Sequence, residues 1–188
     1  MKRRHLARMK LAYYFSILGF SLLSPCLAQE EPASKPIELQ VLKDSIGVWD
    51  AKIEVWPKGL DAPSITFTGV ETNRAYGAYW IASDFDSEFG GQTTKVHSIV
   101  GYDLEEGRMV GKVIDDGPYA ARMTGDYDRE SKTTRWRTEV KDPSGKLIVQ
   151  KTLVTQKSAD QRVLVLSVEN KAKAGFVKFM QITFVRRK

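Results

Sequence analysis

The chain has 188 residues, a formal net charge of +6, one cysteine and two histidines. This length accommodates one domain by default. A composition of 42% hydrophobic and 28% charged residues is that of a globular protein, not of a disordered or collagen-like chain. One cysteine excludes an intrachain disulfide framework and a multi-cysteine zinc site, and two histidines exclude a three-histidine metal site.

The positive charge is concentrated at the N-terminus. The first ten residues include five basic residues and no acidic one, and residues 11–28 carry no charge. Within that stretch an apolar core over residues 11–23 is followed by small residues that end at Ala28. This pattern is typical of a secretory signal peptide, so we predict that residues 1–28 are removed. The protein is then exported across the inner membrane, to the periplasm or beyond it.

Two alternatives to cleavage stay open. The first is an uncleaved membrane anchor, because the uncharged stretch just reaches the length of a spanning helix, although Pro25 weakens its end. The second is lipidation, because residues 23–26 resemble a bacterial lipobox in which Cys26 is acylated and becomes the first residue. Pro25 departs from that pattern, which has a small residue before the cysteine.

Removal of the signal segment changes the charge balance. Of the 29 basic residues 24 remain, against all 23 acidic residues, so the net charge falls to +1. The only histidine left is His97, and no cysteine remains, which suits an oxidising compartment. The charge therefore predicts no nucleic-acid partner, and it predicts membrane contact only through the signal segment or a lipid on Cys26.

The rest of the chain is predicted to be one all-β domain over residues 37–188. Residues 29–36 (QEEPASKP) form a flexible polar lead-in, and apolar spacing over residues 37–46 predicts one short helix that ends before Gly47. From Trp49 onwards apolar and polar residues alternate, and turn signals recur about every 10 to 14 residues, which predicts about ten strands. Those strands cover residues 49–55, 65–69, 79–85, 94–100, 109–114, 119–127, 134–140, 147–155, 162–168 and 176–185. Because an antiparallel meander of this size must hide its edges, we predict a single closed barrel.

Aromatic residues and a few polar residues are the candidates for contact with a ligand. A barrel interior lined by aromatic side chains, with few polar groups, is typical of a small-molecule site. We expect the cavity to be lined by Trp80, Phe85, Tyr102 and Trp136, with His97, Glu71 and Arg122 as polar candidates. A register shift of one residue or a single bulge would move such a residue to the other face.

The sequence predicts no catalytic residue, no metal and no cofactor. It has no serine-centred elbow motif, and residues 115–117 lack the alternating acids and distal glutamate of a calcium loop. Arg135 and Arg137 flank Trp136, so on a strand the arginines point away from the ring. Binding of nucleic acid by stacking would place aromatic and basic groups on the same face.

The start of the first strand resembles that of a known class of barrels. Gly47-Val48-Trp49 follows the predicted helix, and the segment is similar to the Gly-x-Trp opening of lipocalin-like barrels. This resemblance implies that Trp49 closes the base of the barrel. It also implies that a late arginine, Arg186 or Arg187, packs across the indole as a cation–π contact.

Further segments together resemble one bacterial family. They are residues 42–49, 101–103, 109–116, 125–128, 142–146 and 180–188. Their order and spacing are similar to those of the bacterial family catalogued as domain of unknown function 1579, and the resemblance covers residues 38–188. Residues 115–118 depart from the family, which has a longer stretch with serine and threonine there. The resemblance implies a calycin-type, lipocalin-like β-barrel, and it supplies no reaction, cofactor or catalytic residue.

Three functions stay open, and we favour the first. The first is an exported, non-enzymatic barrel that binds a small apolar or amphipathic molecule. The second is an isomerase or hydrolase on the same fold that uses His97 or Glu71 as a base, which requires two titratable groups in one pocket. The third is a structural or interaction module of the cell envelope, which would expose a contiguous apolar patch on the barrel wall.

Overall fold

The computed structural model describes residues 36–142, 144–170 and 175–188, which form one helix and ten strands. The predicted signal peptide, Cys26 and residues 29–35 of the lead-in lie outside the described residues. The helix α1 spans Ile37–Asp44, two residues shorter at its end than predicted. The strands are β1 (Gly47–Val55), β2 (Ile65–Tyr76), β3 (Trp80–Phe89), β4 (Gln92–Asp103), β5 (Arg108–Ile114), β6 (Ala121–Asp128), β7 (Thr133–Lys141), β8 (Leu147–Ser158), β9 (Gln161–Asn170) and β10 (Gly175–Arg186).

The ten described strands close into an antiparallel barrel. Each strand pairs with the strands before and after it in the chain, and β1 pairs with β10. In that last pairing Trp49 lies opposite Arg186, and Ile53 lies opposite Ile182. Closure pairs both edges of every described strand, which removes the unpaired edges that an open sheet would expose. The prediction of an all-β, antiparallel barrel of about ten strands with one short helix is confirmed.

Alternation along the strands decides which side chains face the interior. In β1 the side chains of Trp49, Ala51 and Ile53 are buried, whereas Asp50 and Lys52 between them are exposed. Because paired residues of neighbouring strands point to the same face, the register carries this assignment around the barrel. The inner face of every strand is thereby defined.

The helix α1 closes one end of the barrel, which we call the closed end. Leu42 of α1 is buried against Ile81, Met109 and Trp136, which are inward-facing residues of three different strands. This contact buries the apolar side of a helix of only eight residues, which would not be stable alone. Nowhere in the described part of the chain is there a helix with the length and apolar character needed to cross a membrane.

The turn between α1 and β1 depends on a glycine. Gly47 has a φ of +127°, a backbone conformation that residues other than glycine rarely adopt. A Cβ at this position would also lie 2.8 Å from a guanidinium nitrogen of Arg186. The carbonyl of Ser45, just before the turn, accepts hydrogen bonds from Trp49 Nε1 at 2.8 Å and from Asn73 Nδ2 at 3.0 Å. The turn therefore fixes the indole of Trp49 under the helix.

Trp49 and Arg186 form the base of the barrel. The Trp49 side chain is fully buried, and the guanidinium carbon of Arg186 lies 4.1 Å from its ring centroid. The Arg186 guanidinium also donates hydrogen bonds to the carbonyls of Asp44 and Ile46 at the end of α1. The structure thus places Arg186 against the indole, whereas Arg187 forms an ion pair on the outer surface.

Candidate functional site

The barrel end opposite α1 carries the loops after β1, β3, β5, β7 and β9, and we call it the open end. Inward-facing side chains near this end are partly exposed, including Val96, Leu166 and Met180. At the closed end Trp49 and Met109 on the inner face are fully buried. We take the partly exposed inner face toward the open end as the wall of a candidate cavity.

The wall of this cavity is mainly apolar. Its partly exposed, inward-facing side chains include the polar Ser98 and Gln150 and nine apolar residues from seven strands: Phe67, Phe85, Val96, Val100, Met123, Val154, Leu164, Leu166 and Met180. The Phe85 ring packs edge-on against Phe184, with the two ring centroids 6.2 Å apart. Such a lining suits the apolar part of a small molecule.

Four polar residues form a cluster on the inner face near the closed end, and we call them the polar floor. Glu71 lies on β2 and Arg162 on β9, and their side chains are only 14% and 8% exposed. Arg162 donates a hydrogen bond of 2.8 Å to Glu71 Oε1. The same oxygen accepts hydrogen bonds from Asn73 Nδ2 at 2.6 Å and from Ser83 Oγ at 3.3 Å. The polar floor is therefore a buried ion pair supported by two neutral donors.

The Arg162 side chain crosses the interior from β9 to β2, over the strands β10 and β1. Its guanidinium carbon lies 4.3 Å from the ring centroid of Trp49 and 4.7 Å from that of Phe184. Burial lowers the pKa of Arg162, and the adjacent Glu71 carboxylate opposes this effect. The guanidinium stays charged because arginine does not lose its proton in proteins. The floor of the cavity is thus an ion pair that lies across aromatic rings.

The structure brings four of the seven expected cavity residues to the inner face. Glu71 belongs to the polar floor, and Phe85 belongs to the apolar wall. Tyr102 and Trp136 also face inward, but they pack with Met109 against α1 at the closed end. They therefore support the end of the cavity more than they line its accessible part.

Trp80 does not line the cavity, which corrects the expectation from the sequence. It pairs with Gly101 on the outer face of the sheet. A Cβ at Gly101 would lie 2.3 Å from Cε3 of the indole. The ring therefore lies flat on the outer surface, in the space that the missing side chain leaves.

We expect the substitution Gly101→Ala to lower the free energy of unfolding by about 1–3 kcal/mol, because the added methyl group displaces the Trp80 ring. Urea unfolding measures this change. In a chain that already carries Trp80→Ala, the same substitution should cost less, although the added Cβ would still lie 2.7 Å from the Tyr79 carbonyl oxygen. An equal cost in both backgrounds would show that the indole does not occupy this space.

His97 and Arg122 also lie on the outer face, which corrects their expected place in the cavity. By the alternation along their strands, both side chains point away from the barrel interior. His97 Nδ1 lies 2.7 Å from Asp84 Oδ1, and both side chains are substantially exposed. The hydrogen bond with His97 is the main cause that lowers the pKa of Asp84. Arg122 forms an exposed ion pair of 3.5 Å with Glu106.

The outer groove around His97 has a volume of about 570 Å³. Its wall includes Arg74, which is also paired with Asp84, and the exposed Ile114. In the residues that the structure describes, no group of three or more His, Cys, Asp or Glu side chains is placed to hold a metal ion. His97 is therefore a surface residue in an ion-pair network, separated from the interior by the barrel wall.

Exposed apolar side chains surround the open end. Seven large apolar residues there are exposed: Leu60, Ile65, Phe89, Ile114, Tyr119, Leu147 and Phe179. All of them lie in or beside the loops that join strands at this end. The open end of the barrel is therefore rimmed in part by apolar side chains.

Sequence analysis missed Arg162, Asn73 and Ser83. One signal was available for Arg162, since it shares the period-two phase of Leu164, Leu166 and Val168, where a charged residue is unexpected. Asn73 and Ser83 carry no such signal because small polar residues are common on both faces of strands. Their role follows only from the pairing of β2 with β3.

The closed barrel, the helix over one end and the Trp49–Arg186 contact define a calycin-type, lipocalin-like barrel. The chain belongs to the family described as proteins of unknown function, DUF1579, whose family model matches residues 36–186.

Similar solved structures support the same fold. An S-type phycobiliprotein lyase from Guillardia theta is 11% identical, with a TM-score of 0.56 over 82% of this chain and 94% of that chain. Rv2717c from M. tuberculosis is 8% identical, with a TM-score of 0.59 over 82% of this chain and 100% of that chain. At these identities the likeness concerns the fold alone. A search of curated proteins finds no match to this chain.

Proposed function

We propose that this protein is an exported, non-enzymatic barrel that binds a small amphipathic molecule in its interior. The observation that carries the proposal is the set of partly exposed apolar side chains on the inner face of the closed barrel. Val96, Leu166 and Met180 are among them toward the open end, whereas Trp49 and Met109 are fully buried at the closed end. The basic and apolar pattern of residues 1–28 supports export.

The arrangement of the cavity supports an amphipathic ligand over a purely apolar one. Its wall offers apolar contacts, whereas its floor offers the charged groups of Glu71 and Arg162. Burial of a charged pair is costly unless its hydrogen bonds are satisfied. A ligand with one polar end and an apolar body would contact both parts at once.

The two alternative functions find less support. His97 lies outside the barrel, and Glu71 is already held by three hydrogen-bond donors, which makes it a poor general base. An enzyme would therefore lack its expected pair of groups in one pocket. For an envelope module, seven of the twelve exposed large apolar residues in the described part of the chain lie around the open end, and the other five are spread over the wall and the closed end.

The proposal predicts that Leu166→Trp blocks the cavity. The larger side chain enters the interior from β9, so affinity for the apolar fluorescent probe Nile red should fall at least about tenfold, or 1.4 kcal/mol. Val165→Trp is the matched control, since Val165 is the adjacent residue on the outer face of the same strand. Fluorescence titration measures both affinities, and urea unfolding checks that both variants fold.

An unchanged affinity in Leu166→Trp, or an equal loss in Val165→Trp, would show that the probe binds outside the interior. Native mass spectrometry of the protein purified from its own cell envelope adds an independent test. A co-purifying small molecule of defined mass would support the proposal, and the same spectrum gives the mass of the mature N-terminus. That mass distinguishes cleavage after Ala28 from a lipid on Cys26.

A further inference from the structure

The polar floor retains unused hydrogen-bonding capacity. All three hydrogen bonds that Glu71 accepts within the described residues end on one oxygen, Oε1. Arg162 has five N–H donors, and among those same residues its guanidinium makes a single hydrogen bond, from NH2. Both a carboxylate oxygen and several N–H groups are therefore left without a protein partner in the part of the chain that the structure describes.

These unused atoms belong to side chains that face the barrel interior. Across the described ranges, the only side-chain nitrogen or oxygen that is shielded from water and also lacks a partner is Nε of Arg108. Glu71 Oε2 and the remaining guanidinium nitrogens of Arg162 are not among these shielded atoms. Glu71 pairs with the inward-facing Trp49 and Arg162 with the inward-facing Phe184, so both side chains point into the barrel.

The charge of the polar floor is balanced. Glu71 and Arg162 neutralise each other, and Arg186 on the other side of the floor pairs with Asp160 at 3.3 Å. A ligand carboxylate at the floor would meet the negative charge of Glu71. A ligand ammonium group would meet the positive charge of Arg162. Either charged head group would leave one buried charge of the pair poorly compensated.

We infer that the polar floor binds an uncharged head group that both donates and accepts hydrogen bonds, such as a carboxamide or a hydroxyl group. Its acceptor takes an N–H of Arg162, and its donor reaches Glu71 Oε2. The apolar tail then extends along the wall toward the open end. This inference rests on the proposed function, because it specifies the head group of the molecule that the interior binds.

A panel of ten-carbon probes with one tail and different heads tests the inference on the unaltered protein. The probes are decanamide, 1-decanol, decanoate and decylammonium at pH 7.5, each measured by displacement of Nile red. We expect the two uncharged probes to bind at least about tenfold more tightly than the two ions, since a site built for paired hydrogen bonds discriminates against unmatched groups. Equal or tighter binding of decanoate would overturn the inference.

The substitution Glu71→Gln provides a second test with a predicted change of preference. It removes the negative charge and leaves Arg162 uncompensated, so decanoate should bind about tenfold more tightly than before. Decanamide should change by less than about threefold, since the glutamine oxygen still accepts hydrogen bonds. Glu54→Gln is the matched control, because Glu54 lies on the outer face of β1, and it should leave all four affinities unchanged.

The outcomes separate this inference from the proposed function. If neither Nile red nor any ten-carbon probe binds, the proposed function fails and the inference fails with it. If Nile red and the probes bind without discrimination between heads, the inference fails alone. If Glu71→Gln does not fold, the panel on the unaltered protein still decides the result.

Discussion

Replacement of Trp49 with alanine is expected to lower the free energy of unfolding by about 3–5 kcal/mol, as for other buried tryptophans. The side chain is completely buried at the base of the barrel, and its Nε1 donates a hydrogen bond to the Ser45 carbonyl. Its loss also leaves the guanidinium groups of Arg162 and Arg186 without the ring that they contact. Urea unfolding followed by circular dichroism measures the change.

Trp80→Ala is the matched control for that experiment. It removes the same side chain from the outer face, where the ring lies on Gly101 and is only partly buried. The loss should be less than half of that for Trp49→Ala, because less apolar area leaves contact with the protein. Equal losses for the two tryptophans would contradict the assignment of Trp49 as the base of the barrel.

The second large effect is expected at the buried ion pair. Arg162→Met should lower the free energy of unfolding by about 3–5 kcal/mol, because it leaves the Glu71 carboxylate buried without its charged partner. Glu71→Leu should cost a similar amount for the reciprocal reason. The double variant should recover most of the loss, since two apolar side chains of similar volume replace the pair. Urea unfolding of the four proteins gives the coupling free energy.

Arg137→Met serves as the control, because Arg137 and Glu139 form an ion pair of 3.0 Å on the outer face with both side chains half-exposed. Such surface pairs contribute about 0–1 kcal/mol. A loss at Arg162 no larger than that at Arg137 would show that the interior pair adds nothing beyond a surface contact. Additive losses in the double variant would lead to the same conclusion.

Most of the fold could be predicted because alternation and turns are local signals. The alternation of apolar and polar residues from Trp49 to Ile53 predicts a strand with one buried face. This prediction needs no information about the neighbouring strands. The number of strands and their antiparallel order follow from the repetition of that signal. Closure follows from the need to hide strand edges. The helix was predicted to end at residue 46 and ends at Asp44, since the apolar spacing cannot distinguish a last helical turn from the following loop.

The face of individual residues was harder to predict. Trp80 and Phe85 are five positions apart, so a regular strand places them on opposite faces, and only one of them can line the cavity. Burial favours placing a large aromatic ring inside, but Gly101 offers a site for Trp80 on the outside. Arg122 and His97 are long or polar side chains that either face can accommodate.

The polar floor could not be predicted because it depends on closure. Glu71 and Arg162 are 91 residues apart, and neither lies in a motif. The pattern of β9 marks Arg162 as an unusual charged residue in an apolar strand, but it does not identify the partner of its side chain. The two side chains meet only because β10 and β1 pair and bring β9 and β2 to either side of them. Local patterns contain no information on that pairing.

The pairing of β1 with β10, which we call the seam, has a consequence for the kinetics of folding. Nine of the ten strand pairings join consecutive strands, and only β1 with β10 requires the two ends of the barrel to meet. Because loop closure over the whole domain is entropically unfavourable, we expect the hairpins to form early and the seam last. The Trp49–Arg186 contact and the Glu71–Arg162 ion pair both bridge the seam. If the seam forms last, both contacts are absent from the transition state for folding. They then slow unfolding and contribute little to the rate of folding.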